Sequence, residues 1–176
     1  QSGKVLGTLK HFPGLGDVGA DPHSAVPHLT RSLSQLEAID WAPYRTLIQQ
    51  GNVHAIMVTH ELVSAVDPNI PSSLSYKLVT GVLRKQFGFQ GVIVTDSLTM
   101  EGITAYYNES QAAALAIEAG DDLIMGAASP SDVANMISGI EQAMNAGQIS
   151  ETRINQSVSR ILLLKYEMGL LHLPTS

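Results

Sequence analysis

Two stretches of the chain hold side chains that could do chemistry together. Lys10-His11 is followed within one loop by Asp21-Pro22-His23, and Asp96 ends the apolar run Val92-Ile93-Val94-Thr95. An imidazole titrates near pH ~6.5, so it can give and take a proton close to neutrality. A carboxylate two residues away can hold the imidazole's tautomer and stabilise its charged form. A carboxylate at the rigid end of a strand is placed to act as a nucleophile. Each residue also has an ordinary explanation. Asp96 could cap a helix, His23 could be a solvated loop histidine, and Lys10 and His11 could form an ion pair with Asp17. The occurrence of Lys-His at a strand end and Asp-x-His in the following loop favours a site.

The elements that must position these residues are legible from apolar runs and their breakers. Val5 to Leu9 reads as a buried strand, so Lys10 and His11 fall at its C-terminal end. The glycine- and proline-rich loop after Phe12 runs to about Leu33. Leu33 to Ile39 and Trp41 to Gln50 have helical spacing, ended by Gly51. Val53 to Thr59 is a second strand, with His60 and Glu61 at its end. Ser73 or Ser75 opens a helix to about Phe87, and Gly91 to Thr95 is the third strand. Helix Asn108 to Ala119, strand Asp122 to Met125 and helices from Ser129 and Ser150 complete the chain. Strands alternating with helices predict a parallel sheet covered by helices. Polar residues then collect on one rim, at the strand C-termini, where β/α folds hold ligands. Four β/α units match no common complete fold well: a doubly wound sheet of four strands would be small, and an eight-stranded barrel needs about 250 residues, of which this chain could be half.

Composition narrows the function classes. At 44% hydrophobic and 15% charged residues, the 176-residue chain can build a core. The net charge of −6 and ten scattered Lys and Arg argue against a nucleic-acid surface. No apolar run reaches membrane-spanning length. The lack of cysteine excludes disulfides, thiolate metal sites and a cysteine nucleophile. The start at Gln1, without Met, leaves any targeting segment out of view and the compartment open.

Lys10-His11-Phe12-Pro13-Gly14-x-Gly16-Asp17 with Asp21-x-His23 resembles the glycoside hydrolase family 3 β-N-acetylglucosaminidases, the NagZ-like group. Val92 to Met100 resembles that family's nucleophile strand. Pro71 to Ser75, Leu83 to Gly91 and Ala119-Gly120-x-Asp122 match the flanking segments. Leu15 and Pro22 depart from the common pattern of His and Ser at these places, without removing a group the chemistry needs.

The resemblance implies that residues 1–176 are the last four units of a (β/α)8 TIM-type barrel, the catalytic domain, with its first half outside this chain. It implies a retaining exo-β-N-acetylglucosaminidase acting on peptidoglycan- or chitin-derived sugars. Asp96 would be the nucleophile, His23 the acid/base oriented by Asp21, and Lys10 and His11 would bind sugar hydroxyls. No cofactor is implied. His11, His23 and His60 could also ligate a metal, which this chemistry does not need. Family 3 β-glucosidases, broad β-hexosaminidases and a sugar-binding half-barrel without catalysis are the alternatives, the Asp-x-His pair favouring the N-acetylglucosaminidase branch by resemblance. The expected partners are a carbohydrate and the missing half of the barrel, as a separate chain or segment.

Overall fold

A computed structural model describes residues 5–16 and 26–171. Four parallel strands form one sheet in the order β1 (Thr8–Phe12), β3 (Ala55–Val58), β5 (Val92–Ser97) and β6 (Leu123–Met125). Each strand therefore lies beside the next of the sheet, as in a barrel sector. A second parallel pair, β2 (His28–Leu29) with β4 (Leu62–Val63), is built from the segments that follow β1 and β3. These two-residue strands leave no periodic signal in the sequence.

The helices are α1 (Leu33–Gln35), α2 (Ala42–Gln49), α3 (Glu101–Thr104), α4 (Glu109–Ala119), α5 (Pro130–Asn145) and α6 (Glu151–Glu167). A wide turn, Leu36–Asp40, joins α1 to α2, and a wide helix, Lys77–Gln86, precedes β5. Asn108 and Ser129 form capping boxes on α4 and α5, and Ser150 caps α6 through the Arg153 amide. Among the described residues no helix is long and apolar enough to cross a membrane.

β1 begins later than its apolar run suggests. Val5 is exposed, and the strand extends through Lys10 and His11 to the fully buried Phe12. Phe12 explains the shift, since its ring anchors the main core. It meets Trp41, Tyr44 and Phe87 at centroid distances of 6.2, 5.3 and 6.4 Å. β3 and β5 are apolar on both faces because helices cover one side and the barrel interior the other. A second core joins α3, α4 and α5 through Ile103, Ala112, Ala116 and Met136.

At the N-terminal end of the sheet, the buried Asp122 carboxylate gathers three elements. It accepts from the Ile93 amide at 3.0 Å, Ser157 at 2.6 Å and Arg160 at 3.1 Å, and it pairs with Arg84. Burial lowers the Arg84 pKa to about 10, partly opposed by Asp122, so Arg84 stays protonated at neutral pH. The clasp fixes β5 to the helix before it and to α6, at the end opposite Asp96.

Candidate active site

Asp96 sits near the carboxyl end of β5, one strand from β3 and two from β1. One carboxylate oxygen accepts from the Ser97 amide at 2.8 Å, and the other lies 3.7 Å from His11 Nε2. Both side chains remain partly open, at 21% and 26% of full exposure, so a ligand can reach them. The helix-cap explanation does not hold for Asp96, since Met100 occupies the cap of α3. Asp96 instead lines an open cavity of about 460 Å3 with Ser97, Thr99, Met100, Glu101 and Thr104. Glu101 is thus a second carboxylate on that wall, which the sequence reading missed because it lies on no strand end.

Lys10 is exposed and precedes His11 on β1, toward the same rim. Asp17, Asp21 and His23 lie outside the described residues. The root of their loop is described. Gly14 has φ +141°, and a Cβ there would come within 3.0 Å of Asp40 Cβ, so only glycine fits. Asp40 pairs with Arg31 at 3.1 Å.

His60 and Glu61 do not open onto the rim as their strand-end position suggested. Both are fully buried. His60 Nε2 lies 2.9 Å from the Ser97 carbonyl, which can only accept, so that nitrogen carries the proton. Nδ1 then accepts from the Ser73 hydroxyl at 2.7 Å. Burial depresses the His60 pKa, against the opposing pull of the Ser97 carbonyl and Asp96, keeping the ring neutral. His60 therefore ties the residue after Asp96 to the turn Ser72–Leu74. That turn is stitched to the end of β3 by Ser72, which donates to Thr59 O at 2.5 Å and accepts from the Glu61 amide at 3.1 Å. The Pro71-Ser72-Ser73 motif was legible, but its purpose as a brace was not.

Burial raises the Glu61 carboxyl to about pH 8, and Asp40 pushes the same way, while the Gly14 amide opposes both. Glu61 is accordingly a neutral, buried group beside the loop root. His54 stands before β3, 3.4 Å from Glu167 of α6, away from the rim. Among the described residues, no group of three or more His, Asp or Glu is arranged to hold a metal ion.

The rim brings the Asp96 carboxylate next to the imidazole of His11, with the Lys10 cation beside His11 on β1. Parallel strands taken in chain order, with such groups at their carboxyl ends, define a sector of a TIM-type barrel. Residues 1–164 match the Glycosyl hydrolase family 3 N terminal domain, and the chain belongs to that family. A beta-hexosaminidase of Shewanella frigidimarina is 42% identical over 116 residues, 66% of this chain and 34% of that protein. A beta-hexosaminidase of Idiomarina loihiensis is 36% identical over 157 residues, 89% of this chain and 44% of that protein. The solved glycoside hydrolase family 3 beta-N-acetylglucosaminidase from Paenibacillus sp. str. FPU-7 superposes with TM-score 0.92 at 37% identity, over 99% of this chain and 34% of the other. The chain thus spans between a third and a half of these relatives.

Proposed function

We propose that this chain is the C-terminal part of the catalytic barrel of a retaining exo-β-N-acetylglucosaminidase. Its substrates are terminal β-linked N-acetylglucosamine residues of peptidoglycan- or chitin-derived sugars. The observation that carries the reading is the partly open Asp96 carboxylate, 3.7 Å from His11 Nε2, which reaches it from β1, two strands away on the same rim. Retention requires a carboxylate that attacks the anomeric carbon and a group that protonates the leaving oxygen. Asp96 attacks, forming the C1–O bond of a glycosyl-enzyme as the C1–O bond to the aglycone breaks. His23, oriented by Asp21, gives its proton to that oxygen and later takes one from the attacking water. Lys10 and His11 hold sugar hydroxyls. The preceding strands of the barrel belong beside β1 and β6, which form the two edges of the described sheet.

The test uses the full-length protein. Asp96→Ala abolishes turnover with every leaving group. His23→Ala forms the glycosyl-enzyme from a dinitrophenyl glycoside, which needs no proton, and releases it slowly unless azide is added. Mass spectrometry then finds the sugar on Asp96. A label elsewhere, or azide rescue of Glu101→Gln in place of His23→Ala, would overturn the assignment.

A further inference from the structure

A second cavity, of about 560 Å3, adjoins the Asp96 cavity, and Glu101 lines both. The short helix α3 separates them, with Thr104 on the Asp96 side and Ala105, Tyr106 and Tyr107 on the other. The opposite wall comes from the segment after β3, including Pro68, Asn69 and Pro71. The volume falls within the roughly 300–1,000 Å3 of small-molecule sites. Its lining is also of that kind, with rigid apolar residues and aromatic rings beside a few polar groups. Tyr106 is 71% exposed. A large amphipathic ring left in water at the edge of a cleft offers a flat apolar face with a hydroxyl at its end, which suits a pyranose.

The charge of the two cavities is one-sided. Among the described residues their linings contain the carboxylates of Asp96 and Glu101 and the imidazole of His28, and no lysine or arginine. Lys77, close in sequence to the Pro71 wall, is held by Asp67 at 3.2 Å. A ligand bearing a carboxylate would meet Glu101 without a compensating cation from these elements, and like charges brought together disfavour binding. An exo-acting glycosidase holds only the terminal sugar on the nucleophile's side of the scissile bond. A sugar in the adjoining cleft therefore belongs to the leaving group.

We propose that the Tyr106 cleft binds the leaving-group sugars and, with Glu101, selects uncharged N-acetylglucosamine chains over chains whose second sugar carries a carboxylate. The inference rests on the glycosidase reading of Asp96, and it narrows the substrate class to chitin-type oligomers.

The experiment compares kcat/KM in the full-length protein for four substrates. These are 4-nitrophenyl N-acetylglucosaminide, the N-acetylglucosamine dimer and trimer, and a β-linked N-acetylglucosaminyl disaccharide with a lactyl carboxylate on its second sugar. The neutral dimer is expected to exceed the carboxylate-bearing disaccharide by about tenfold or more. Tyr106→Ala is expected to lower kcat/KM for the trimer about tenfold more than for the nitrophenyl substrate. Tyr106 is largely outside the core, so this variant keeps the fold. Glu101→Gln is expected to narrow the gap between the two disaccharides. Equal or better turnover of the carboxylate-bearing disaccharide by the wild type overturns the proposal. So does an equal loss on trimer and nitrophenyl substrate in Tyr106→Ala, or an unchanged gap in Glu101→Gln. Failure of the wild type on the nitrophenyl substrate would instead bring down the glycosidase reading, and this inference with it.

Discussion

Replacing His60 with leucine tests whether the buried brace positions Asp96, the proposed nucleophile. Leucine has a similar volume but neither accepts from Ser73 nor donates to the Ser97 carbonyl. A buried polar group left without its partner costs about 1–3 kcal/mol, so two such groups cost about 2–6 kcal/mol of stability. A domain of this size has roughly 5–15 kcal/mol in hand, so the variant folds but with a lower urea midpoint. The Ser97 carbonyl is one residue from Asp96, and its release lets the carboxylate drift. A displacement of about 1 Å in a reacting group costs on the order of 100-fold in rate. The loss should appear in kcat more than in KM, because Lys10 and His11 on β1 are untouched. Ser73→Ala removes one bond of the brace and should give a smaller loss in both measurements. The pH dependence supplies an independent check. The depressed pKa of His60 means that the unfolded chain binds the proton more readily. The stability from keeping His60 neutral is thus complete above about pH 6.5 and is lost as pH falls below it toward the folded-state value. His60→Leu should flatten that acid limb. A folded His60→Leu protein with wild-type kcat would refute the reasoning.

Three further outcomes follow from buried groups. Glu61 is raised to about 8 by burial, so folding retains a proton that the unfolded carboxyl releases near 4.5. Stability therefore falls as pH rises between these values, by up to about 1.4 kcal/mol per unit. Glu61→Gln should remove this slope in urea titrations at pH 5.5 and 7.5, and parallel curves for the two proteins would refute it. Asp122→Asn leaves Arg84 and Arg160 facing each other at the clasp, with Arg153 3.7 Å from the former carboxylate position. It should cost about 3–5 kcal/mol, read from the urea midpoint. Gly139→Ala places a Cβ 2.3 Å from the Ser110 carbonyl of α4. The gain in helix propensity is about 1 kcal/mol, less than the overpacking cost of roughly 1–3 kcal/mol or more, so Tm should fall.

The order of strands and helices was legible because β3 and β5 are apolar on both faces and most helix ends carry Ser, Asn or Gly signals. Asp96 and His11 were found for the same reason, since an apolar run that stops at a polar residue marks a rim. Burial was harder to foresee. His60 and Glu61 have the same local signature as Lys10 and His11, a polar pair next to an apolar run. Their inward placement depends on the Ser72–Leu74 turn folding back over the end of β3. That is a tertiary event between segments more than ten residues apart in the chain, and no local pattern reports it. Glu101 and the Tyr106 cleft escaped notice for a similar reason. They belong to a four-residue helix and a pair of two-residue strands, too short to show a period.

The Asp122 clasp has a consequence in time. A ribosome releases β5, with Asp96, well before it releases Ser157 and Arg160, the groups of α6 that close on Asp122. Until then the Asp122 carboxylate lacks two of its donors and engages only the Ile93 amide and Arg84, while the base of β5 rests on its pairing with β3. The nascent rim is thus assembled before it is secured. A chain stalled or cut between Asp122 and α6 would display Asp96 and His11 on a sheet whose far end is not yet closed by α6, open to proteases and chaperones.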